Sequence, residues 1–238
     1  MKQRARTDQE KARKQELIMS ATARMFEKDR CLHSASAIAK EAKVAKGTLY
    51  LYFKTKEAIY MELLVNAFSK WHGSLRNLII DQGLEAQKLP ELLGESLMDQ
   101  TTFIDLFSLA GSVLEENLPP EVVRTQRLRM IQESVRTSQL IAKFWPEEWS
   151  EELALRNLRR VYTYAIGYWK DCFPSENVWK AIPENFSNIG SQRELYQEEL
   201  LYMCRLIWVK PIATAHNRVN ASKPDSTPRP KQPLPCSL

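Results

Sequence analysis

Apolar residues recur at spacings of three and four along almost the whole chain, which is the pattern of helices with one buried face. Alternating runs bounded by Asn-Gly or Asp-Gly turns, the mark of paired strands, are missing. The chain therefore reads as all-α. A first helix is predicted from about residue 8 to about residue 28, with Leu17, Ile18, Ala21, Met25 and Phe26 on its apolar face and Thr7 or Asp8 as its cap. A short helix over about 35–42 follows, capped by Ser34, with Ile38, Ala39 and Ala42 facing inward. A second short helix is expected over about 46–53. Thr55 then caps a long helix to about residue 80, whose inner face holds Ile59, Leu63, Phe68, Trp71, Leu75 and Leu78.

Punctuation is sparse at first: no proline precedes Pro90, and only Gly47 precedes Gly73. Pro90 suits the first turn of a further helix. Residues 102–116 form a strongly apolar segment expected to be buried. Pro119 and Pro120 break the chain, a helix restarts through Phe144, and Pro146 breaks it again. Two last helices are predicted, over about 148–172 and 191–209, with a loop holding Pro174 and Pro183 between them. Residues 211–238 contain six of the chain's twelve prolines and few apolar groups, a composition that predicts disorder.

Charge sharpens the picture. Residues 1–60 carry 14 Lys/Arg and 7 Asp/Glu, a net +7, whereas residues 61–238 carry 20 and 22, a net −2. A basic end of this kind attracts phosphate backbones or an anionic membrane surface, and charge alone does not choose between them. No uninterrupted apolar run approaches the ~18 residues of a membrane span. The charged N-terminus is unlike a signal peptide, so a cytoplasmic protein is expected. Cys31, Cys172, Cys204 and Cys236 are scattered without a CxxC, which predicts free thiols and no metal site. The three histidines, His33, His72 and His216, form no set with them at a standard catalytic spacing, so neither an enzyme nor a cofactor is expected.

The segment that carries function is 34–57, SASAIAKEAKVAKGTLYLYFKTKE, two short helices joined by a tight turn. Ala39 is small where the helices cross, and Ile38, Val44, Leu49 and Phe53 supply a miniature core. The second helix then offers Lys46, Thr48, Leu51 and Tyr52 to solvent. A leucine there can meet a thymine methyl in the major groove, and a tyrosine hydroxyl can bond a phosphate.

The run from Leu17 to Leu64 resembles the DNA-binding domain of the TetR family of bacterial repressors. The resemblance rests on Ala21-x-x-x-Met25-Phe26, on Ile38-Ala39, and above all on the twelve residues from Lys46 to Glu57, KGTLYLYFKTKE. It implies that Lys46 and Gly47 open the recognition helix against DNA. It places Thr48 and Leu51 at base edges, Tyr50 and Tyr52 at phosphates, Lys56 on a further phosphate, and Ser34 on another with help from the helix dipole. Tyr50 is equally compatible with a core position. The chain departs from the family pattern at Lys43, where glycine is usual in the turn, and at Ala45, where Ser or Thr usually caps the recognition helix. Asp29-Arg30 likewise replaces the usual glycine after the first helix. A non-glycine residue in left-handed backbone costs roughly 1–2 kcal/mol, and a missing cap about 1 kcal/mol.

The resemblance also implies a homodimer built from the last two long helices, for which Leu158, Tyr162, Ala165, Trp169, Leu195, Leu200, Met203 and Ile207 are candidates. It implies a pocket for a small-molecule effector, with Phe68, Trp71, Phe103, Phe107, Trp145 and Tyr162 as candidate lining, although aromatics at helical spacing serve equally well as core. The acidic cluster Glu115-Glu116-Asn117 is either a polar ligand contact or an exposed helix end. The expected organisation is a DNA-binding headpiece over 1–55, a dimerisation and effector-binding body over 56–210, and the tail. The expected function is a dimeric, ligand-responsive repressor that binds a palindromic double-stranded operator. A helical adaptor that binds protein or an anionic surface through its basic end is the alternative, and sequence-dependent DNA binding with a strong salt slope would exclude it.

Overall fold

The computed structural model describes residues 2–82, 85–181 and 192–209. Helices α1 (Lys2–Asp29), α2 (Ala35–Glu41), α3 (Lys46–Tyr52) and α4 (Lys56–Gln82) come first. Helices α5 (Leu89–Met98), α6 (Thr101–Ser108), α7 (Pro120–Phe144), α8 (Glu151–Cys172), α9 (Glu176–Ala181) and α10 (Gln192–Ile207) complete the described residues, which contain no strand. None of these helices is long and apolar enough to cross a membrane. The predicted tail, residues 211–238, lies outside the described residues.

Local chemistry sets most boundaries. Ser34 accepts from the Ala37 N–H at 3.2 Å, Thr55 from Ala58 at 3.1 Å and Ser150 from Leu153 at 3.3 Å, each satisfying a donor that a helix start leaves open. Pro90 and Pro120 sit in the first turns of α5 and α7, where no amide donor is missed. The apolar segment after residue 101 is not one helix. It runs as α6, then a wide π turn at Ala110–Leu114, then a 3-10 turn at Glu115–Asn117. Helix α9 occupies part of the stretch expected as a proline-bounded loop, and its first turn is closed by Val178 N–H on the Ser175 carbonyl at 3.0 Å.

Two packed regions share α4. In the headpiece, Ile18 and Phe26 of α1, Ile38 of α2, Leu49 of α3 and Ile59 and Tyr60 of α4 are fully buried together. Leu17, expected on the inner face of α1, is 46% exposed. Tyr60 stays buried because its hydroxyl accepts the His33 N–H at 2.8 Å. In the body, α7 packs against α4 and α8 against α7, and α10 fits between α5 and α8. Buried Tyr196, Leu200 and Cys204 of α10 recur every four residues and so form one stripe. Burial pushes the Cys204 thiol up to about 12, which keeps it neutral and unreactive.

Candidate nucleic-acid interface and ligand cavity

The turn between α2 and α3 closes with a Schellman arrangement. Val44 N–H reaches the Ala39 carbonyl at 3.0 Å and Lys43 N–H reaches Lys40 at 3.1 Å. This geometry demands left-handed backbone at Lys43, whose φ is 55°. Ala45 sits in extended backbone at the N-cap of α3 and supplies no side-chain bond. Arg30, which follows α1, is the other described non-glycine residue with positive φ, at 51°. All three positions where the chain departs from the expected pattern are thus places where the backbone asks for a different residue type.

Leu49 is the buried residue of α3, which turns the rest of the helix outward. Leu51 is 76% exposed, the most of any large hydrophobic side chain among the described residues. Lys46 and Gly47 are exposed at its start, and Thr48 is half-buried beside them. A Cβ added at Gly47 would meet nothing within 4 Å, so the bare backbone there fronts open space. Tyr50 is exposed rather than core, with the Lys46 ammonium 5.9 Å from its ring centroid. Tyr52 is half-buried against the headpiece core, and Lys56, half-buried, pairs loosely with Glu57 at 3.8 Å. Ser34 is exposed while capping α2. Of the eight predicted residues, Ser34 thus caps α2, Lys46, Gly47, Thr48, Tyr50, Leu51 and Tyr52 lie on α3, and Lys56 opens α4.

A second link joins the headpiece to the body. The Arg30 guanidinium donates to Asp105 Oδ2 at 3.1 Å and to Thr101 Oγ1 at 2.9 Å, both on α6. Asp105 also accepts from the Trp169 indole at 2.9 Å and from the Lys170 ammonium at 3.1 Å, both on α8. One nearly buried carboxylate thus ties the end of α1 to α6 and α8.

The body contains a cavity of about 570 Å³ between α4, α6, α7 and α8. Phe68, Phe107 and Tyr162 give it an aromatic wall, and their rings meet at centroid distances of 5.7 Å (Phe68–Tyr162, Phe107–Tyr162). Trp71 and Phe103, expected as lining, stack on each other at 5.6 Å behind that wall and are core, each 1% exposed. Trp145 is elsewhere, in a separate cluster with Trp149 and Trp208. Periodicity could not separate wall from core, because both lie on the inner faces of the same helices. The lining that sequence reasoning missed comprises Arg127, Met130, Ile131 and Ser134 on α7 with Glu152, Leu155, Arg156, Arg159 and Thr163 on α8. Its arginines read as ordinary solvated positions until the two helices are placed side by side. Burial raises the Tyr162 hydroxyl above its usual range, while the Arg159 and Arg127 charges nearby oppose that rise. Glu115 is not an open ligand contact, since Arg127 grips both its oxygens.

Behind the cavity, His72 is fully buried between Thr137 Oγ1, 2.8 Å from Nδ1, and Ser134 Oγ, 3.3 Å from Nε2. Burial first, and the Arg76 charge second, pull it down to about 3, so it is a neutral structural group.

The dimer candidates divide. Leu158, Ala165 and Leu200 are 0% exposed and belong to the chain's own core, so no second copy can touch them without unfolding. Trp169 turns inward to Asp105 and lies edge-on to Tyr196, and Tyr162 faces the cavity. Leu195, Met203 and Ile207 are half-buried. The outer face of α10 instead carries Tyr202 and Leu206, and Val209 follows just beyond the helix, each more than half exposed. Twofold apolar patterning was correctly legible on this helix, but the packing against α5 and α8 selected the opposite set as core.

A two-helix reading motif with an exposed second helix, carried on a larger helical body, defines a DNA-binding protein of the helix-turn-helix class. Residues 18–63 match the family described as bacterial regulatory proteins, tetR family, and residues 65–202 match the tetracyclin repressor-like, C-terminal domain. The chain belongs to the TetR family and is a DNA-binding transcription regulator of that family. Among solved structures it is similar to a Shewanella sp. PV-4 protein assigned as a tetR family transcription regulator, at 19% identity and a TM-score of 0.51, covering 82% of this chain and 96% of that one. A Clostridium perfringens protein assigned as a fatty acid metabolism regulator matches at 18% identity and a TM-score of 0.47, covering 79% and 96%. No curated protein matches the chain by sequence.

Proposed function

We propose that the protein is a ligand-responsive repressor that binds a palindromic operator as a homodimer. The observation that carries the operator contact is Leu51, an aliphatic side chain held in water on α3 beside Lys46 and Tyr50. A base edge offers it a thymine methyl, whereas an isolated fold offers it nothing. In this reading Thr48 and Leu51 touch bases, and Lys46, Tyr50, Tyr52, Lys56 and Ser34 hold phosphates, with Gly47 allowing close backbone approach. The headpiece is 1–55 and the body 56–210. The exposed apolar patch of Tyr202 and Leu206 on α10 with Val209 just beyond it supports dimerisation, because two copies related by a two-fold axis would cover it. The cavity supports the ligand, being of the size that small effectors occupy.

Selection of bound sites from a random DNA pool tests the whole reading, since it returns the operator and its symmetry together. With that site in hand, Lys46→Ala and Lys56→Ala should each weaken binding to every sequence and reduce the salt slope by about one unit. Thr48 and Leu51 substitutions should instead change base preference. Binding by Lys46→Ala equal to wild type at moderate salt would mean that α3 is not the reading helix.

A further inference from the structure

We infer that the body cavity takes an amphipathic anion, with an apolar body on the aromatic wall and a carboxylate or phosphate-type group at the α8 mouth. This rests on the reading that the cavity is a ligand site, and adds to it the chemistry of the ligand. The charges around the cavity do not cancel. Arg127, Arg156 and Arg159 all line it, against the single acid Glu152. Glu152 is engaged by Arg156 at 2.6 Å, and Arg127 is engaged by Glu115. Arg159 is left without a hydrogen-bond or ion-pair partner among the described residues, and its charge reaches the Tyr162 hydroxyl. That hydroxyl likewise has no hydrogen-bond partner among them and lines the same space.

The cavity thus offers two unused donors on one helix. Arg159 and Tyr162 are three residues apart on α8, so they rise from one face of that helix. A planar guanidinium binds carboxylate or phosphate oxygens in pairs, and an adjoining phenol can donate to the same group. The opposite wall is suited to a different part of a molecule. Phe68, Phe107, Met130 and Ile131 present rings, a thioether and an aliphatic chain with no hydrogen-bond donor among them. A cation would meet the surplus guanidinium charge, and a neutral polar molecule would leave Arg159 unpaired. An anion with an apolar body satisfies both ends.

The test is titration of the full-length protein with three probes that share one alkyl chain: decanoate, decanol and decyltrimethylammonium. Displacement of anilinonaphthalene sulfonate fluorescence and direct calorimetry serve as readouts. Decanoate should bind about tenfold more tightly than either of the others. Arg159→Gln, at an exposed position that folding tolerates, should remove that gap. Leu155→Trp should block all three by filling the space, and Ile131→Trp, at a more exposed position, repeats that test if the first variant loses its thermal transition. Equal affinities for the three probes in the wild type, or a decanoate preference that survives Arg159→Gln, overturns the anion and leaves the cavity a ligand site. Binding of no probe, or binding that neither tryptophan diminishes, overturns the cavity as a ligand site and the anion with it.

Discussion

Single residues in the headpiece sit in backbone that would favour others. Ala45 leaves the α3 start uncapped, so Ala45→Ser should stabilise the free protein by up to about 1 kcal/mol and tighten operator binding, because the hydroxyl can also reach a phosphate. Paired thermal melts and DNA titrations at one salt concentration check this; a less stable, weaker-binding serine variant would show that α3 starts elsewhere. Lys43 at φ 55° differs, since Lys43→Gly relieves left-handed strain but removes a positive charge beside the reading helix. His72 makes a pH prediction. Its native-state value is depressed to about 3 from an ordinary 6.5, so between those values the unfolded chain binds a proton that the native state refuses. Its contribution is complete above about pH 6.5 and declines as pH falls towards 3. Urea unfolding at pH 7 and pH 5 should show about 2 kcal/mol more loss in the wild type than in His72→Gln. Equal losses would mean that His72 is protonated in the native state.

Between elements, the decisive contact is the Asp105 carboxylate. It holds Arg30 from the end of α1 and Trp169 and Lys170 from α8 while itself lying on α6. Arg30 and Lys170 are exposed enough for water to screen their ion pairs, so the indole bond and the carboxylate's burial dominate the energetics. Asp105→Asn should cost about 1–2 kcal/mol of stability. Hydrogen exchange should accelerate at the end of α1 and around α6, with α10 unchanged. Uniform exchange rates in the variant would show that the contact is a surface pairing with no role in seating the headpiece. The same contact shares α6 with the cavity wall, since Phe107 lies two residues from Asp105.

For the whole molecule, the exposed apolar residues of α10 support the proposed dimer. Leu206 is 51% exposed and Tyr202 55%, so charge at either position costs the isolated chain little. Leu206→Glu should therefore yield a folded monomer that holds the operator weakly, because one headpiece reads only one half-site. Sedimentation at micromolar concentration and a thermal melt check both parts. A Leu206→Glu protein that stays dimeric would move the interface to another face.

Local information carried much of this protein. The recognition segment was legible because its signals are contiguous. Ser34 and Thr55 cap helices through bonds three residues away, Leu49 and Phe53 face inward by helical period, and the twelve residues from Lys46 to Glu57 lie in one stretch of chain. The strained position at Lys43 was legible for the same reason, since a helix C-terminus ends within its own last turn. What depended on neighbours distant in sequence was not legible. Periodicity marked α8 and α10 as apolar on more than one side, yet only packing decided that Leu158, Ala165 and Leu200 are core and that Tyr202 and Leu206 face out. It marked Phe68 and Trp71 alike, and only the placement of α6, α7 and α8 made the first a cavity wall and the second its backing. Arg127 and Arg159 come together from separate helices, as do Arg30, Asp105 and Trp169. The helical period tells which residues share a face, but it holds no information about which neighbour that face meets, and that choice is made by the packing of the whole chain.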